Sequence, residues 1–182
     1  RTFIEYHSTQ LIKATSTFLW FILPVTEPYA SDRPRVAACG ALYGGDPMHR
    51  NVGREELIDE LVPELRRAHE EETGSASDTL DAFSQAVLKR VDDKYLYLHR
   101  LTTLGAQLRD SFRWVTERAH EDAVHVRVFE PTLKDNGYEL EGCVIETSMP
   151  DQPFIVDTMK LYTEQCGVRV INQLNVVMPA TF

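Results

Sequence analysis

The hydrophobic period changes just after His120, and that change limits what the chain can fold into. Between Arg54 and His120 apolar residues return every three or four positions; at Val124, Val126 and Val128 they return every second position, and short strand-like runs then flank one further helical stretch. A three-to-four-residue return lays one stripe along a helix, whereas alternation lays one face along a strand. The expected class is α+β, with helices gathered first and strands after them.

The helical part divides at its caps. In "REELIDELVPELRRAHEEE" Leu57, Leu61, Leu65 and Ala68 form one stripe, with Ile58 and Val62 beside it. Glu55 and Glu56 sit at the start, where the helix dipole favours anions, and Gly74 is the expected stop. Pro63 lacks the N–H of the helical ladder, so a kink or a restart is expected there. Ser77 or Asp78 caps a second helix carrying Leu80, Phe83, Val87 and Val91. A third is expected from about Lys94 to His120, with Leu101, Leu104, Leu108, Phe112 and Val115 on one face. Stripes of this kind are read as helix-to-helix core.

Beyond residue 122 the reading is strand, strand, helix, strand. In "AVHVRVFEP" Val124, Val126 and Val128 alternate with His125 and Arg127, which places the valines inward and His125 toward solvent. Asn136-Gly137 marks a turn, and Cys143–Thr147 a second strand. "PFIVDTMKLYTEQCG" is a helix with Pro153 in its first turn, Gly167 as its stop, and an apolar face of Ile155, Met159 and Tyr162 with Val156 and Cys166. A last strand spans Val168–Met178. Strand, helix, strand implies a right-handed crossover between neighbouring parallel strands. The sheet then ends one strand early, leaving an edge and an apolar face that the helical part, a second copy or downstream sequence must cover.

Residues 1–53 carry less pattern. "STQLIKATSTFLWFIL" fits a helix capped by Ser8 or Thr9, or in part a strand, and Pro24 and Pro28 end it either way. The Gly- and Pro-rich stretch after it reads as loop. The division expected is thus an irregular or helical segment over 1–53, a helical region over 54–122 and an α+β region over 123–182.

Composition removes several functions. A net charge of −9 disfavours nucleic acid and anionic membrane surfaces as partners. Cys39, Cys143 and Cys166 are odd in number and form no Cys-x-x-Cys pair, so reduced thiols and a cytoplasmic location are expected, with neither disulfide framework nor zinc site. "FLWFILPV" is too short to span a bilayer and lacks the flanks of a signal peptide. The chain opens on Arg1, as a processed product or a piece of something longer would.

No catalytic constellation is visible. There is no G-x-G-x-x-G after a strand, no phosphate-binding G-x-x-x-x-G-K-[ST], no G-x-S-x-G and no H-E-x-x-H. His7, His49, His69, His99, His120 and His125 share no ligand spacing, and Cys143 and Cys166 read as small core residues. No catalytic residue and no metal ligand is therefore assigned. What remains is the corner "MPDQPFIVD" between strand and helix: Pro150 ends the strand, Pro153 starts the helix, and Asp151 is placed to cap it. The free N–H groups of such a corner also suit a small carboxylate ligand.

These residues resemble a known family. Asp151-Gln152-Pro153-Phe154-Ile155-Val156-Asp157-Thr158, with "RVFEPTLKDNGY" over Arg127–Tyr138, is similar to the ACT-like module in the N-terminal region of the large NAD-specific glutamate dehydrogenases. The resemblance implies a ferredoxin-like part built β-β-α-β over 123–182, incomplete at its C-terminus. It also implies a non-catalytic regulatory or assembly role within an enzyme that deaminates L-glutamate oxidatively to 2-oxoglutarate and ammonia. NAD would be the cofactor of that parent, with none in this chain. Partners would be a second copy or the remaining domains, with an amino-acid effector held at Asp151, Gln152, Phe154 and Ile155. Ligand-binding ACT domains commonly carry glycine where this chain has Phe154, whose ring is expected to fill the pocket or pack under the helix. The alternative is a free-standing ACT-like module that senses amino acids or binds proteins.

Overall fold

A computed structural model of the chain describes residues 15–23, 52–117, 124–140, 142–168 and 170–179. The expected caps Ser8 and Thr9, the loop after Pro24, His7, His49, His120 and Cys39 lie outside the described residues. Among the described residues nine elements follow in chain order: β1 (Thr15–Leu23), α1 (Arg54–Thr73), α2 (Asp78–Leu88), α3 (Asp93–Leu98), α4 (Leu101–Thr116), β2 (His125–Phe129), β3 (Cys143–Pro150), α5 (Ile155–Gln165) and β4 (Asn172–Pro179). Helices therefore precede most of the strands, and the chain is α+β.

The four strands form one sheet in the order β2-β3-β1-β4, every neighbouring pair antiparallel. This is the strand order of a split β-α-β-β-α-β arrangement. Two expectations are corrected by it. β3 and β4 run parallel but are not neighbours, because β1 lies between them, pairing Trp20 with Glu146 on one side and with Leu174 on the other. The strand that seemed missing after the C-terminal part comes instead from Thr15–Leu23, ahead of the helices. Of the two readings of the N-terminal apolar run, strand holds over those residues.

β1 is central and covered on both faces, so it shows no alternation. Phe18, Trp20 and Ile22 join the helices in the main core, whereas Phe21 and Leu23 face α5. Aromatic edges lock the first face: Phe18 meets Phe83 with ring centres 5.5 Å apart, and Trp20 meets Tyr95 at 4.9 Å. The expected stripes supply the rest, Leu57, Leu61 and Leu65 from α1, Leu80, Phe83 and Val87 from α2, and Leu104, Leu108 and Phe112 from α4.

The caps behave mostly as their chemistry requires. Ser77 Oγ accepts the Leu80 N–H at 3.1 Å, and Gly74 ends α1 at φ 73°. Helix α1 continues through the exposed Pro63 without a restart. The long third helix is two: Asp92 caps α3, the chain turns extended at His99 and Arg100, and α4 begins at Leu101. Gly142, at φ 143°, lies so close to β1 that a Cβ there would stand 2.3 Å from the Leu23 carbonyl oxygen. Only glycine admits that approach.

Strand β2 faces the other way from expectation. Arg127 pairs across to the fully buried Glu146 on the helix-covered face, while Val126 and Val128 are 56% and 61% exposed on the α5 face. His125 is half-buried rather than free in solvent. Alternation alone does not reveal which face is covered, and here the helices close over a charged pair. On α5 the half-buried residues are Ile155, Val156 and Met159, the fully buried one is Thr163, and Tyr162 and Cys166 are exposed, contrary to the expected apolar face.

Candidate functional site

The corner between β3 and α5 falls where the sequence placed it. β3 ends at Pro150 and α5 begins at Ile155. Asp151 does not cap the helix: its Oδ1 accepts a 2.8 Å hydrogen bond from the hydroxyl of Thr17, a fully buried residue of β1. The carboxylate thus ties the corner to the central strand, and the first N–H groups of α5 receive no side-chain cap. Gln152 and Phe154 are exposed, and Ile155 turns inward onto the small cluster around Phe21 and Leu23.

Phe154 corrects the expectation made for it. Its ring neither fills a pocket nor packs under the helix; it is 77% exposed. Its backbone adopts φ 65° and ψ 6°, and it is the one non-glycine residue with positive φ among those described. A side chain in that region costs about 1–2 kcal/mol. The corner therefore keeps a glycine's backbone shape while presenting a large ring outward. The four residues Asp151, Gln152, Phe154 and Ile155 do not converge on one point, for one is committed to β1, two lie in solvent and one is packed.

A second constellation had no sequence motif. Glu146 of β3, fully buried, accepts from Arg127 Nε at 2.5 Å and from the Ser111 hydroxyl of α4 at 2.6 Å. Arg127 also donates to Asp110 Oδ2 of α4 at 2.8 Å, and Asn136 of the β2–β3 connection donates to the same oxygen at 3.2 Å. The guanidinium lies 4.3 Å from the Phe129 ring centre and 5.0 Å from that of Trp114. Burial pushes the Glu146 carboxyl above its ordinary range, against the pull of Arg127 and Ser111. Burial opposes the charge on Arg127, yet Glu146 and Asp110 raise it further. Burial, then the charges of Glu146 and Asp110, raise the hydroxyl of buried Tyr138. This network joins sheet, α4 and connecting loop at one buried point. Its sequence signal was the opposite charges Arg127 and Glu146 set within two apolar strands, a cross-strand pair once register is known.

Cys143 is half-buried with its thiol pushed up by burial, and Cys166 is exposed. Among the described residues no group of three or more His, Cys, Asp or Glu side chains is placed to hold a metal ion. No described helix is long and apolar enough to cross a membrane.

With this geometry in hand, comparison with known families decides the kinship. The model of the family described as "Glutamate dehydrogenase, ACT1 domain" matches residues 83–180, more than half of the chain. The chain belongs to that family. The match runs from within α2 to the end of β4 and takes in the buried network and the corner; β1 and α1 precede it. No curated protein and no solved structure matches the chain significantly. The resemblance of the Asp151–Thr158 string is thus that of an ACT-like module of glutamate dehydrogenase.

Proposed function

We propose that this ACT1 module is a non-catalytic regulatory and assembly segment of a large NAD-dependent glutamate dehydrogenase. The parent reaction would be the oxidative deamination of L-glutamate to 2-oxoglutarate and ammonia, with NAD bound elsewhere in the parent and the whole working in the cytoplasm. The observation that carries this reading is the α5 face of the sheet. Val126 and Val128 lie bare on it at one edge, the 36%-exposed Val177 lies at the other, and α5 covers only the centre. An apolar sheet face with partial cover is a docking surface for another domain or a second copy.

The test uses the full-length dehydrogenase with Val126→Asp and Val128→Asp together. Both positions are exposed, so the module should still fold, while light scattering should show the native assembly dissociating. An unaltered assembly with unaltered kinetics would remove the reading. The 182-residue chain alone, given glutamate and NAD, should show no turnover.

A second reading, a module that senses amino acids at the corner, draws support from the uncapped N–H groups at the start of α5. Calorimetry with a panel of amino acids checks it. It requires heat with at least one of them and a weaker signal after Gln152→Ala.

A further inference from the structure

The core on the helical face encloses a small cavity of about 20 Å³, set between β1, β4, α2 and α4. Every residue lining it is at most 6% exposed. Most of the lining is apolar, and a cavity walled by leucine, valine and phenylalanine alone stays dry. Trp20 of β1, Tyr95 of α3, and Gln107 and Ser111 of α4 break that pattern, for each brings a polar atom to the wall.

The hydrogen bonds of these four residues show which groups are spent. The Tyr95 hydroxyl donates to Gln107 Oε1 at 2.9 Å, and the Ser111 hydroxyl donates to Glu146 Oε1 at 2.6 Å. The indole Nε1 of Trp20 and the amide Nε2 of Gln107 are buried donors that meet no acceptor among the described residues. Buried donors in folded proteins are as a rule satisfied, by protein or by ordered water. Ser111 stands at the same cavity with its own proton committed to Glu146, so its oxygen can accept. A cavity holds one water when roughly 10–15 Å³ is open to it and two to four polar groups meet it. This cavity satisfies both conditions.

We propose that it is a site for one structural water. The water accepts from the Trp20 indole and from the Gln107 amide and donates to the Ser111 oxygen, which gives it about three hydrogen bonds, as buried waters commonly have. It ties the central strand to α4. Through Ser111 it also joins the aromatic centre of the core to Glu146 and Arg127, so one hydrogen-bonded chain runs from Trp20 to the buried ion network. An apolar occupant would leave both donors unmet, and a larger polar one exceeds the volume. The site stands apart from the assembly reading, since Trp20 and its partners lie on the helical face and not on the α5 face.

The test is a crystal structure of the 182-residue chain, with magnetic relaxation dispersion of the solvent water on the same protein in solution. Density for one water should stand within hydrogen-bonding distance of Trp20 Nε1, Gln107 Nε2 and Ser111 Oγ. In Gln107→Met, which keeps the side-chain length and removes the amide, the number of long-lived internal waters should fall by one. Circular dichroism establishes that the variant folds; if it does not, the density in the parent chain decides alone. An empty cavity in the parent, a direct protein acceptor found for both donors, or an unchanged count of long-lived waters in the folded variant would each overturn the assignment.

Discussion

The two faces of the sheet are built from the same four strands and end in different states. On one face the residues of β1, β3 and β4 share a core with the helices, meeting Phe83 of α2, Tyr95 of α3 and Ser111 of α4, and Phe18, Trp20, Val144, Leu174 and Val176 are each at most 4% exposed. On the other face, among the described residues, one eleven-residue helix supplies the cover, and of its cluster Phe21 and Leu23 are buried. The difference teaches where stability and function separate. The helical face holds the fold together by area and by one buried ion network; the α5 face carries apolar surface that the described chain does not use. A face that the described residues leave half-covered is where a partner is expected.

The sharpest way to break this contrast is to remove the ion that closes the helical face. Arg127→Ala leaves the buried Glu146 without a counter-charge and Asp110 with the exposed Arg113 alone, which should cost roughly 3–5 kcal/mol in urea unfolding. Next comes a pair of matched truncations. Leu174→Ala on the helical face should cost about 2–5 kcal/mol. Leu161→Ala on the outer side of α5, 56% exposed, should stay within about 0.5 kcal/mol. Equal losses at the two positions would erase the distinction between the faces.

Titration sharpens the picture of the helical face. The Glu146 carboxyl is raised above 4.5 in the fold, so its contribution is fully present below pH 4.5 and is lost as pH rises through the folded value. His99, where α3 meets α4, is lowered by burial from 6.5 to about 4. Its contribution is full above pH 6.5 and is lost as pH falls through that value toward 4. The two oppose each other on acidification. Melting temperatures at pH 7 and pH 4 should therefore fall further apart in Glu146→Gln than in the parent chain, because the compensating carboxyl is gone. The smallest effect is at the corner. Phe154→Gly removes an exposed ring and a left-handed strain, so it should leave stability unchanged or raise it by up to about 1 kcal/mol. A loss there would mean that the ring packs against something.

Much of the helical face was legible before the structure, because four-residue stripes at Leu57–Leu65, Leu80–Val87 and Leu104–Val115 report one covered side directly. Strand β1 was not, for a strand buried on both faces loses its alternation, and "FLWFIL" is as apolar as a buried helix. β2 was read inside out for a related reason. The rule that valines turn inward fails where the covered face holds Arg127 against Glu146 and the other face is waiting for cover. The corner was legible in its two prolines, but Asp151 found Thr17, 134 residues away, instead of the nearby helix N–H groups. No local pattern announces a contact of that range, and the left-handed turn at Phe154 was signalled only by the glycine that ACT domains commonly carry at that position.

The α5 face carries apolar surface suited to being covered. Light scattering of the full-length dehydrogenase carrying Val126→Asp and Val128→Asp tests it most directly, with circular dichroism confirming that the module remains folded. Dissociation of the native assembly is expected. An intact assembly of native mass, with the two aspartates still freely accessible, would contradict it.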